Sequence, residues 1–258
     1  MPVTQIKKSQ AVREQVSKEE WETRVNLAAC YRLMHVFGMT EMIANHISAR
    51  VPATENQFLI NPYGMLYEEM TASSMIKIDV DGNILFNATE YGINQAGYVI
   101  HSAVHAARHD VDCVIHTHTL AGMAVSAMKT GLLPLAQSAM RFGDIAYHDY
   151  EGPALNLDER ARLVADLGER EAMILRNHGL LTVGPSIPES FNNMFRLERA
   201  CQLQVTTLSC NTEIRLPPAE VVNETYDGFK PGVRRRWGLI EWPALLRKLD
   251  KIDPSYRD

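Results

Sequence analysis

Three histidines in this sequence have the residue type and the spacing of metal ligands. Two of them, His116 and His118, lie one residue apart in the segment CVIHTHTLAG, whose first residues are typical of a strand. Side chains two residues apart on a strand point to the same face, so both imidazoles should project together while Thr117 faces away. Neutral imidazole nitrogens bind zinc at about 2.0–2.1 Å. The pair alone is a weak signal, because ordinary histidines show this spacing about as often as ligands do.

The third histidine, His178, lies in the segment MILRNHGLLTVG. The apolar run breaks at Asn177-His178-Gly179, which predicts a tight turn between two strands. A single histidine before glycine is more typical of a turn than of a metal ligand. Three histidines at strand ends, none of them explained by core packing, together predict a facial metal site with open coordination positions.

Composition and charge exclude several classes of function. The chain has 258 residues and a formal net charge of −5, which gives no electrostatic reason to expect a nucleic-acid partner. Its one basic run, residues 234–236, is expected to be a solvated face or a subunit contact. The sequence contains no apolar stretch of about 18 residues, so we expect neither a membrane span nor an exported protein. The four cysteines show no paired spacing, so we expect a cytoplasmic protein without disulfides.

Helical and extended patterns alternate along the chain without regular βαβ units, which predicts one α+β fold. A capping box at Ser17 and Glu20 predicts the start of a first helix that ends near Gly38. The other helices are predicted at residues 94–108, 119–129, 157–168, 188–209 and 242–250. Strands are predicted at residues 46–51, 58–60, 75–80, 83–86, 112–117, 144–150, 172–179 and 180–184, with a hairpin turn at Asp81-Gly82.

The domain organisation follows from the same patterns. Residues 1–17 are polar and aperiodic and are predicted to be a flexible N-terminal arm. Residues 18–215 form one domain, and residues 216–258 form a C-terminal extension. This extension carries apolar residues, among them Trp242 and Ile240, that the core does not obviously need. We therefore expect the extension to pack on a neighbouring subunit.

Several segments of the chain resemble the class II aldolase and adducin family. They are GMTEMIANHISAR (38–50), INPYG (60–64), residues 92–135, AYHDYEG (146–152) and ILRNHGLLTVG (174–184). Within the family, the chain is most similar to the adducin head domain. The resemblance implies a three-layer α/β/α arrangement, with a central mixed, mostly antiparallel sheet flanked by helices. It also implies a homotetramer whose active sites lie near subunit boundaries.

The resemblance further implies one divalent metal ion per chain on His116, His118 and His178. Zinc is the first expectation, and Mn²⁺, Co²⁺ and Fe²⁺ are the alternatives. Enzymes of the family use this ion as a Lewis acid, which stabilises the enediolate formed when a C–C bond breaks. The substrate is then a small acidic molecule.

Other positions depart from the family pattern or match it. The family enzymes commonly carry a catalytic glutamate where this chain has Gly97, and we expect this position to face the metal. Asn45, Asn61 and Gly64 match positions of the anion-binding loop. Asn94 begins a predicted helix whose backbone N–H groups could bind a carboxylate.

Further histidines are weaker candidates. His148 lies between Tyr147 and Asp149 and is either a catalytic base oriented by a carboxylate or a structural histidine at a subunit contact. His101 and His105 lie one helical turn apart and could face the metal together, although His101 is more typical of a packed, hydrogen-bonded residue. His46 is assigned to the surface or the core.

Two hypotheses remain for the function. The first is a metal-dependent lyase, a decarboxylase or retro-aldolase, that acts on a small hydroxy- or oxo-carboxylic acid; the intact three-histidine set favours it. Decarboxylation gains weight from the missing glutamate, because loss of CO₂ requires no prior removal of a proton. The second is a non-catalytic, adducin-like assembly or binding module that retains the metal site, and Gly97 favours this alternative. Fold resemblance cannot choose between them.

Overall fold

The computed structural model describes residues 10–152 and 158–258. The strands are β1 (His46–Arg50), β2 (Gln57–Ile60), β3 (Ile76–Asp79), β4 (Ile84–Phe86), β5 (Cys113–Thr117), β6 (Ala146–His148), β7 (Ala172–Leu175) and β8 (Gly179–Gly184). They form one sheet in the order β4-β3-β2-β1-β5-β8-β7-β6. Strands β6 and β7 run parallel, and the other neighbouring pairs are antiparallel. The predicted mixed, mostly antiparallel sheet is confirmed.

Helices cover both faces of this sheet. They are α1 (Lys18–Val36), α2 (Gln95–Ala107), α3 (Leu120–Ser126), α4 (Gln137–Met140), α5 (Glu159–Leu167), α6 (Ile187–Ser209), α7 (Ala219–Phe229) and α8 (Glu241–Ile252). Short 3₁₀ turns lie at Tyr67–Glu69, Ala72–Ser74 and Pro254–Arg257. Buried residues of α1, α6 and α8 share one core with the sheet, and those of α2 and α5 share a second core with it. The three-layer α/β/α arrangement is therefore confirmed.

The alternation of side chains along β5 decides which residues can reach the site. Cys113 and Ile115 belong to the core beneath α1 and α6, whereas Val114 belongs to the core beneath α2 and α5. His116 follows this alternation and lies on the α2 face. The antiparallel register places His46 of β1 directly opposite His116. Both imidazoles therefore lie on the face of the sheet that α2 covers.

The start and the end of α1 are those that the sequence predicts. The Ser17 side chain accepts a hydrogen bond from the backbone N–H of Glu20 at 3.0 Å, and Gly38 has a φ of +67° just beyond the helix. The predicted capping box is only half formed, because the Glu20 carboxylate does not return to Ser17. It accepts hydrogen bonds from the buried Arg24 guanidinium and from Lys77, each at 2.9 Å.

Part of the predicted N-terminal arm lies among the described residues. Residues 1–9 of the arm lie outside the described residues. Residues 10–13 are helical, and the side chain of Val12 is buried in a small core cluster with Trp21 and Ala72. The described end of the arm therefore packs on the domain, and the flexibility of the arm stays a prediction.

The C-terminal segment packs on its own chain. Trp242 is buried in the main core, and its indole N–H donates to Asn26 Oδ1 of α1 at 2.7 Å. The expectation that the core does not need this segment is therefore wrong for Trp242. Ile240 remains 73% exposed. Helix α7 was not predicted, whereas α8 was. The boundary at residue 215 and the contact with a neighbouring subunit stay predictions.

Within the part of the chain that the structure describes, no helix combines the length and the apolar character that crossing a membrane requires.

Candidate metal centre

The paired histidines lie where β5 ends. His116 is the fourth residue of the strand, and His118 follows directly after its last residue. The Thr117 hydroxyl points to the opposite side, where it lies 3.4 Å from Met194 Sδ of α6. His116 and His118 therefore project together away from that core, as the two-residue spacing predicts.

The turn between β7 and β8 positions His178. Its backbone N–H donates to Leu175 O at 3.1 Å, and Asn177 adopts a left-handed backbone with a φ of +55°. A Cβ atom at Gly179 would lie 2.2 Å from the carbonyl oxygen of Thr117. Only glycine therefore allows this turn to approach the end of β5 so closely, and the Asn-His-Gly sequence brings His178 to the histidine pair.

The three imidazoles form one cluster. The ligating nitrogens of His116, His118 and His178 all lie within 4.8 Å of one another. The Nε2 atoms of His116 and His118 are 2.8 Å apart, and the His178 ring centroid is 4.7 Å from that of His116 and 4.8 Å from that of His118. The structure thus brings together the three histidines that the sequence singles out as ligands.

Hydrogen bonds to oxygen fix the tautomers of the pair. His116 Nδ1 lies 2.9 Å from the carbonyl oxygen of Leu180, and His118 Nδ1 lies 2.7 Å from Glu41 Oε2. Both oxygens accept, so each Nδ1 carries the proton and each Nε2 carries a lone pair. Two lone pairs that face each other at 2.8 Å repel unless a cation lies between them. This donor set therefore fits a divalent metal ion.

Burial keeps two of these ligands, His116 and His178, neutral at pH 7. Burial lowers the pKa of His178 to about 4, and the neighbouring His118 acts in the same direction. Burial also holds the pKa of His116 well below its usual value, with His46 and His178 adding to the effect. Neutral imidazole is the form that binds metal, so these two ligands can bind an ion at pH 7 without losing protons first.

Glu41 is a site residue that the sequence analysis missed. It lies 77 residues before His118 in the chain, in the loop that precedes β1, and its carboxylate accepts the Nδ1 proton of His118. A carboxylate in this position orients the imidazole and strengthens its Nε2 as a ligand.

Glu41→Gln should lower the affinity of the protein for zinc by about 10- to 100-fold, because His118 loses its anionic partner. Competition with a chromogenic chelator measures this change. The matched control is Glu68→Gln, because the Glu68 carboxylate lies 2.6 Å from Nδ1 of the half-exposed His35, which is not one of the three clustered histidines. If both variants weaken zinc binding equally, the effect of Glu41 is one of net charge and not of orientation.

Among the residues predicted to bind substrate, Asn45 is the one whose side chain is free to hydrogen-bond to a ligand. It is 1% exposed, and neither Nδ2 nor Oδ1 of its side chain has a hydrogen-bond partner. Asn45 immediately precedes His46, which pairs with His116, so it lies beside the end of β5. A buried amide without partners is costly, and a polar ligand would satisfy both atoms.

The other predicted substrate-binding residues serve the local structure. Asn61 is buried, and its Oδ1 lies 2.9 Å from the Tyr31 hydroxyl. Gly64 has a φ of +130°, and a Cβ atom there would collide with the Tyr91 ring. The backbone carbonyl of Asn94 accepts the first hydrogen bond of α2, from Tyr98. Their roles toward a substrate stay predictions.

His148 is held by two carboxylates. Its Nδ1 lies 2.7 Å from Asp166 Oδ2 and its Nε2 lies 3.3 Å from Glu159 Oε1. The side chain is almost fully buried and lines a small cleft that it shares with His178. Because both ring nitrogens are engaged, this arrangement gives no support to a role as a catalytic base and favours a structural one.

Gly97 faces a neighbouring imidazole and not an empty pocket. A Cβ atom at this position would lie 2.5 Å from Cδ2 and 2.9 Å from Nε2 of His46. His46 is 3% exposed, and its ring centroid is 5.0 Å from that of His116. The His46 ring therefore fills the space where a side chain at position 97 would begin. His101 and His105 lie on the same helix and contact His46 and Ser48, so they do not line the cluster of three histidines.

Gly97→Ala should therefore destabilise the protein by about 1–3 kcal/mol, because the added methyl group overpacks against a buried ring. Urea unfolding measures the loss. The matched control is Gly228→Ala in α7, where an added Cβ meets no atom within 4 Å. The control should be neutral or stabilising, since alanine is the better helix former. Equal behaviour of the two variants would mean that the His46 ring moves aside freely.

A large cavity elsewhere in the structure does not coincide with this cluster. It encloses about 940 Å³ between the start of β7, the end of β8 and α7. Its charged groups include the ion pairs Arg108–Asp110 and Arg170–Asp144. We assign the candidate site by its chemistry rather than by volume, because the three histidines converge and these pairs already satisfy each other.

Comparison with known proteins agrees with the geometry. Residues 25–205 match the model of the class II aldolase and adducin N-terminal domain. The crystal structure of an aldolase II superfamily protein from Pseudomonas syringae is 50% identical, covers 96% of this chain and all of that one, and superposes with a TM-score of 0.89. The L-fuculose 1-phosphate aldolase from Glaciozyma antarctica is 26% identical, covers 93% of each chain, and has a TM-score of 0.81.

Alpha-adducin of Mus musculus is 41% identical over 264 residues. The match covers 97% of this chain but 36% of that protein, so the chain corresponds to about a third of the adducin. The domain match spans most of the globular chain, and the relatives include both aldolases and adducins. The chain therefore belongs to the class II aldolase and adducin family.

Proposed function

We propose that this chain is a divalent-metal-dependent lyase that acts on a small hydroxy- or oxo-carboxylic acid, by decarboxylation or by retro-aldol cleavage. One observation supports it most. The Nδ1 protons of His116 and His118 are bound by fixed oxygens, so that two Nε2 lone pairs converge beside His178. Oriented ligands of this kind are what a metal-dependent enzyme requires.

His116, His118 and His178 would hold one ion, with zinc as our first expectation and Mn²⁺, Co²⁺ or Fe²⁺ as alternatives. When bound, such an ion supplies a Lewis acid that polarises a carbonyl group. The protein would bind the substrate through Asn45, whose amide offers both a donor and an acceptor. Besides Glu41, the cleft that His178 lines carries the carboxylates of Asp149 and Glu159 and the guanidinium of Arg176. An acidic substrate would therefore meet charges of both signs, and Arg176 is the group that would attract it.

The missing carboxylate at position 97 bears on the type of reaction. Loss of CO₂ requires no group that removes a proton first, whereas retro-aldol cleavage requires an acceptor for the proton of the substrate hydroxyl. His148 is not available as this acceptor, because both of its nitrogens are engaged. Decarboxylation thus makes the smaller demand on the residues around the cluster.

A screen of the metal-loaded protein tests the proposal. Oxo-acids and hydroxy-acids would be offered, and the release of CO₂ or of a carbonyl product would be measured, with His178→Ala as the inactive reference. Turnover by the wild-type protein that the variant lacks is the expected result. A fully metal-loaded protein that neither binds nor converts any of these acids would overturn the proposal.

That negative result would favour the second candidate, a non-catalytic, adducin-like binding module. Two observations favour this candidate: His46 fills the place where family enzymes carry their glutamate, and the match with alpha-adducin extends over nearly the whole chain. In such a module the ion would stabilise the fold without turnover.

We also propose that the chain forms a homotetramer in the cytoplasm, as the family resemblance implies. Strand β6 lies at one edge of the sheet, Tyr150 just beyond it is 55% exposed, and Ile240 is 73% exposed. Light scattering at micromolar concentration should give about four times the chain mass of 29.0 kDa. Ile240→Asp should lower this mass, and Ile84→Asp on the opposite edge strand should not. A mass of one chain for the wild-type protein would contradict the proposed tetramer.

A further inference from the structure

A continuous line of buried polar side chains runs from the candidate metal centre into the core beneath α2. His46 Nδ1 lies 2.8 Å from His101 Nε2, and His101 Nδ1 lies 2.6 Å from the Ser48 hydroxyl. The same hydroxyl lies 2.7 Å from His105 Nε2. His101, Ser48 and His105 are all 0% exposed. Buried polar networks of this kind are costly unless they are fully satisfied, so this one calls for an explanation.

While all four residues are neutral and the Ser48 O–H donates within the line, the protons can be arranged in two ways. Each hydrogen bond needs one donor and one acceptor, and the single Ser48 proton can serve only one of its two neighbours. In the first arrangement His46, His101 and His105 all carry their proton on Nδ1. In the second arrangement all three carry it on Nε2. The two arrangements differ in what the ends of the line present.

The far end favours the first arrangement. His105 Nδ1 is buried and has no hydrogen-bond partner. The backbone carbonyl of Val111 nevertheless lies close enough to the ring to raise the pKa of His105, against the larger effect of burial. Because Ser48 occupies Nε2, the nitrogen near that carbonyl is Nδ1. An N–H there is attracted by the carbonyl oxygen, whereas a lone pair would be repelled by it.

The near end favours the same arrangement. The His46 ring lies against His116, with 5.0 Å between the ring centroids. With Nδ1 bound to His101, the nitrogen left for the site is Nε2. A lone pair on Nε2 is favourable beside a cation held by three histidines, and an N–H is not. Both ends therefore select Nδ1 protonation along the whole line.

We propose that His46 stands in for the glutamate that position 97 lacks, and that it presents an unprotonated Nε2 as a hydrogen-bond acceptor for a hydroxyl group of the substrate. The geometry fits, because Nε2 of His46 would lie 2.9 Å from a Cβ atom at Gly97, and Gly97 is the position at which the family resemblance implies a glutamate. An acceptor there selects a hydroxy-acid over the corresponding oxo-acid, since only the former has an O–H to donate. The role toward substrate rests on the proposed lyase function, whereas the tautomer is a property of the protein alone.

The tautomers are tested first, on the metal-free protein labelled with ¹⁵N-histidine. Two-bond ¹⁵N–¹H correlation spectra distinguish Nδ1–H from Nε2–H imidazoles, and the spectra of His46→Gln, His101→Gln and His105→Gln assign the signals. We expect all three residues to carry the proton on Nδ1. Nε2 protonation of His46 would overturn the proposal, whatever the protein binds.

The substrate preference is tested next, on the zinc-loaded protein, with lactate and pyruvate as a matched pair of probes in calorimetry. His46→Leu should weaken lactate binding by about tenfold and leave pyruvate binding unchanged, because only lactate loses a hydrogen bond. His46→Gln, which keeps an acceptor oxygen, should restore part of the loss. An equal loss for both acids, or no loss for either, would show that His46 only packs against its neighbours. A protein that binds no zinc would instead count against the proposed lyase, and the tautomer result would still stand on its own.

Discussion

His178→Ala should release the metal ion as completely as His116→Ala. The wild-type protein is expected to retain about one divalent ion per chain after dialysis, zinc first among them, and each variant should retain almost none. Loss of a partner that only orients a ligand costs about 10- to 100-fold in metal affinity, so loss of the ligand itself should cost more than that. The three nitrogens lie within 4.8 Å of one another, and no one of them is peripheral to the cluster.

The control for these variants is His109→Ala, because His109 is exposed and lies outside the cluster. Elemental analysis should find the wild-type occupancy in this control. Circular dichroism on all three proteins would show that metal loss does not simply follow unfolding. If His178→Ala kept full occupancy, the site would consist of the β5 pair and some other ligand.

The parts of this site that can be predicted from the sequence are those whose positions are determined by residues nearby in the chain. The pairing of His116 with His118 follows from the two-residue period of a strand, and the position of His178 follows from the turn that Asn177 and Gly179 impose. These causes act within a few residues of the histidines. The family resemblance then joined the two segments, which no local pattern could do.

The partners of these histidines could not be predicted in this way. Glu41 reaches His118 across 77 residues, and its position depends on the course of the loop before β1. The sequence predicts only that His46 lies at the surface or in the core. Its contact with His101, and that of His101 with Ser48, depend on how α2 packs on the sheet, which no local pattern shows. A signal was nevertheless present, since His46 and Ser48 share one strand face and His101 and His105 share one helix face. When one strand face and one helix face each carry two polar side chains in a buried region, the two pairs are expected to hydrogen-bond to each other.

The structure of the C-terminal region was predicted less well from the sequence than that of the site. Helix α7 was not predicted although its apolar residues gather on one face, and none of its residues is buried. Trp242 looked like a surface residue in need of a partner because its contact, Asn26, lies more than 200 residues earlier. Only the packing of α8 on α1 reveals that the segment belongs to the core of its own chain.

The metal-free protein should lose several kcal/mol of stability when the pH falls from 7.5 to 5.5. Burial lowers the pKa of five histidines: His46, His101, His105, His116 and His178. Their folded-state pKa values lie below the unfolded value of about 6.5, so the unfolded chain binds more protons in acid. The stabilisation is complete above the unfolded pKa. It is lost as the pH falls through this window toward the folded values, about 4 for His178 and about 3 for His105.

Each neutral, buried histidine should contribute about 1 kcal/mol to this loss between the two pH values. Urea unfolding in the presence of a chelator measures it. Glu198 acts in the opposite direction, because burial raises its pKa and its contribution grows as the pH falls. A comparison that removes one histidine separates the two effects.

His105→Phe is that comparison, because the His105 ring stacks on Phe58 with a centroid distance of 4.8 Å and a second phenyl ring can take its place. The variant has one titrating group fewer in the core. Its loss of stability between pH 7.5 and 5.5 should therefore be smaller than that of the wild-type protein by about 1 kcal/mol, even if its stability at pH 7.5 is lower. The surface variant His109→Ala should show the full wild-type loss. An identical loss in His105→Phe would mean that carboxylates, and not the buried histidines, set the acid sensitivity of this fold.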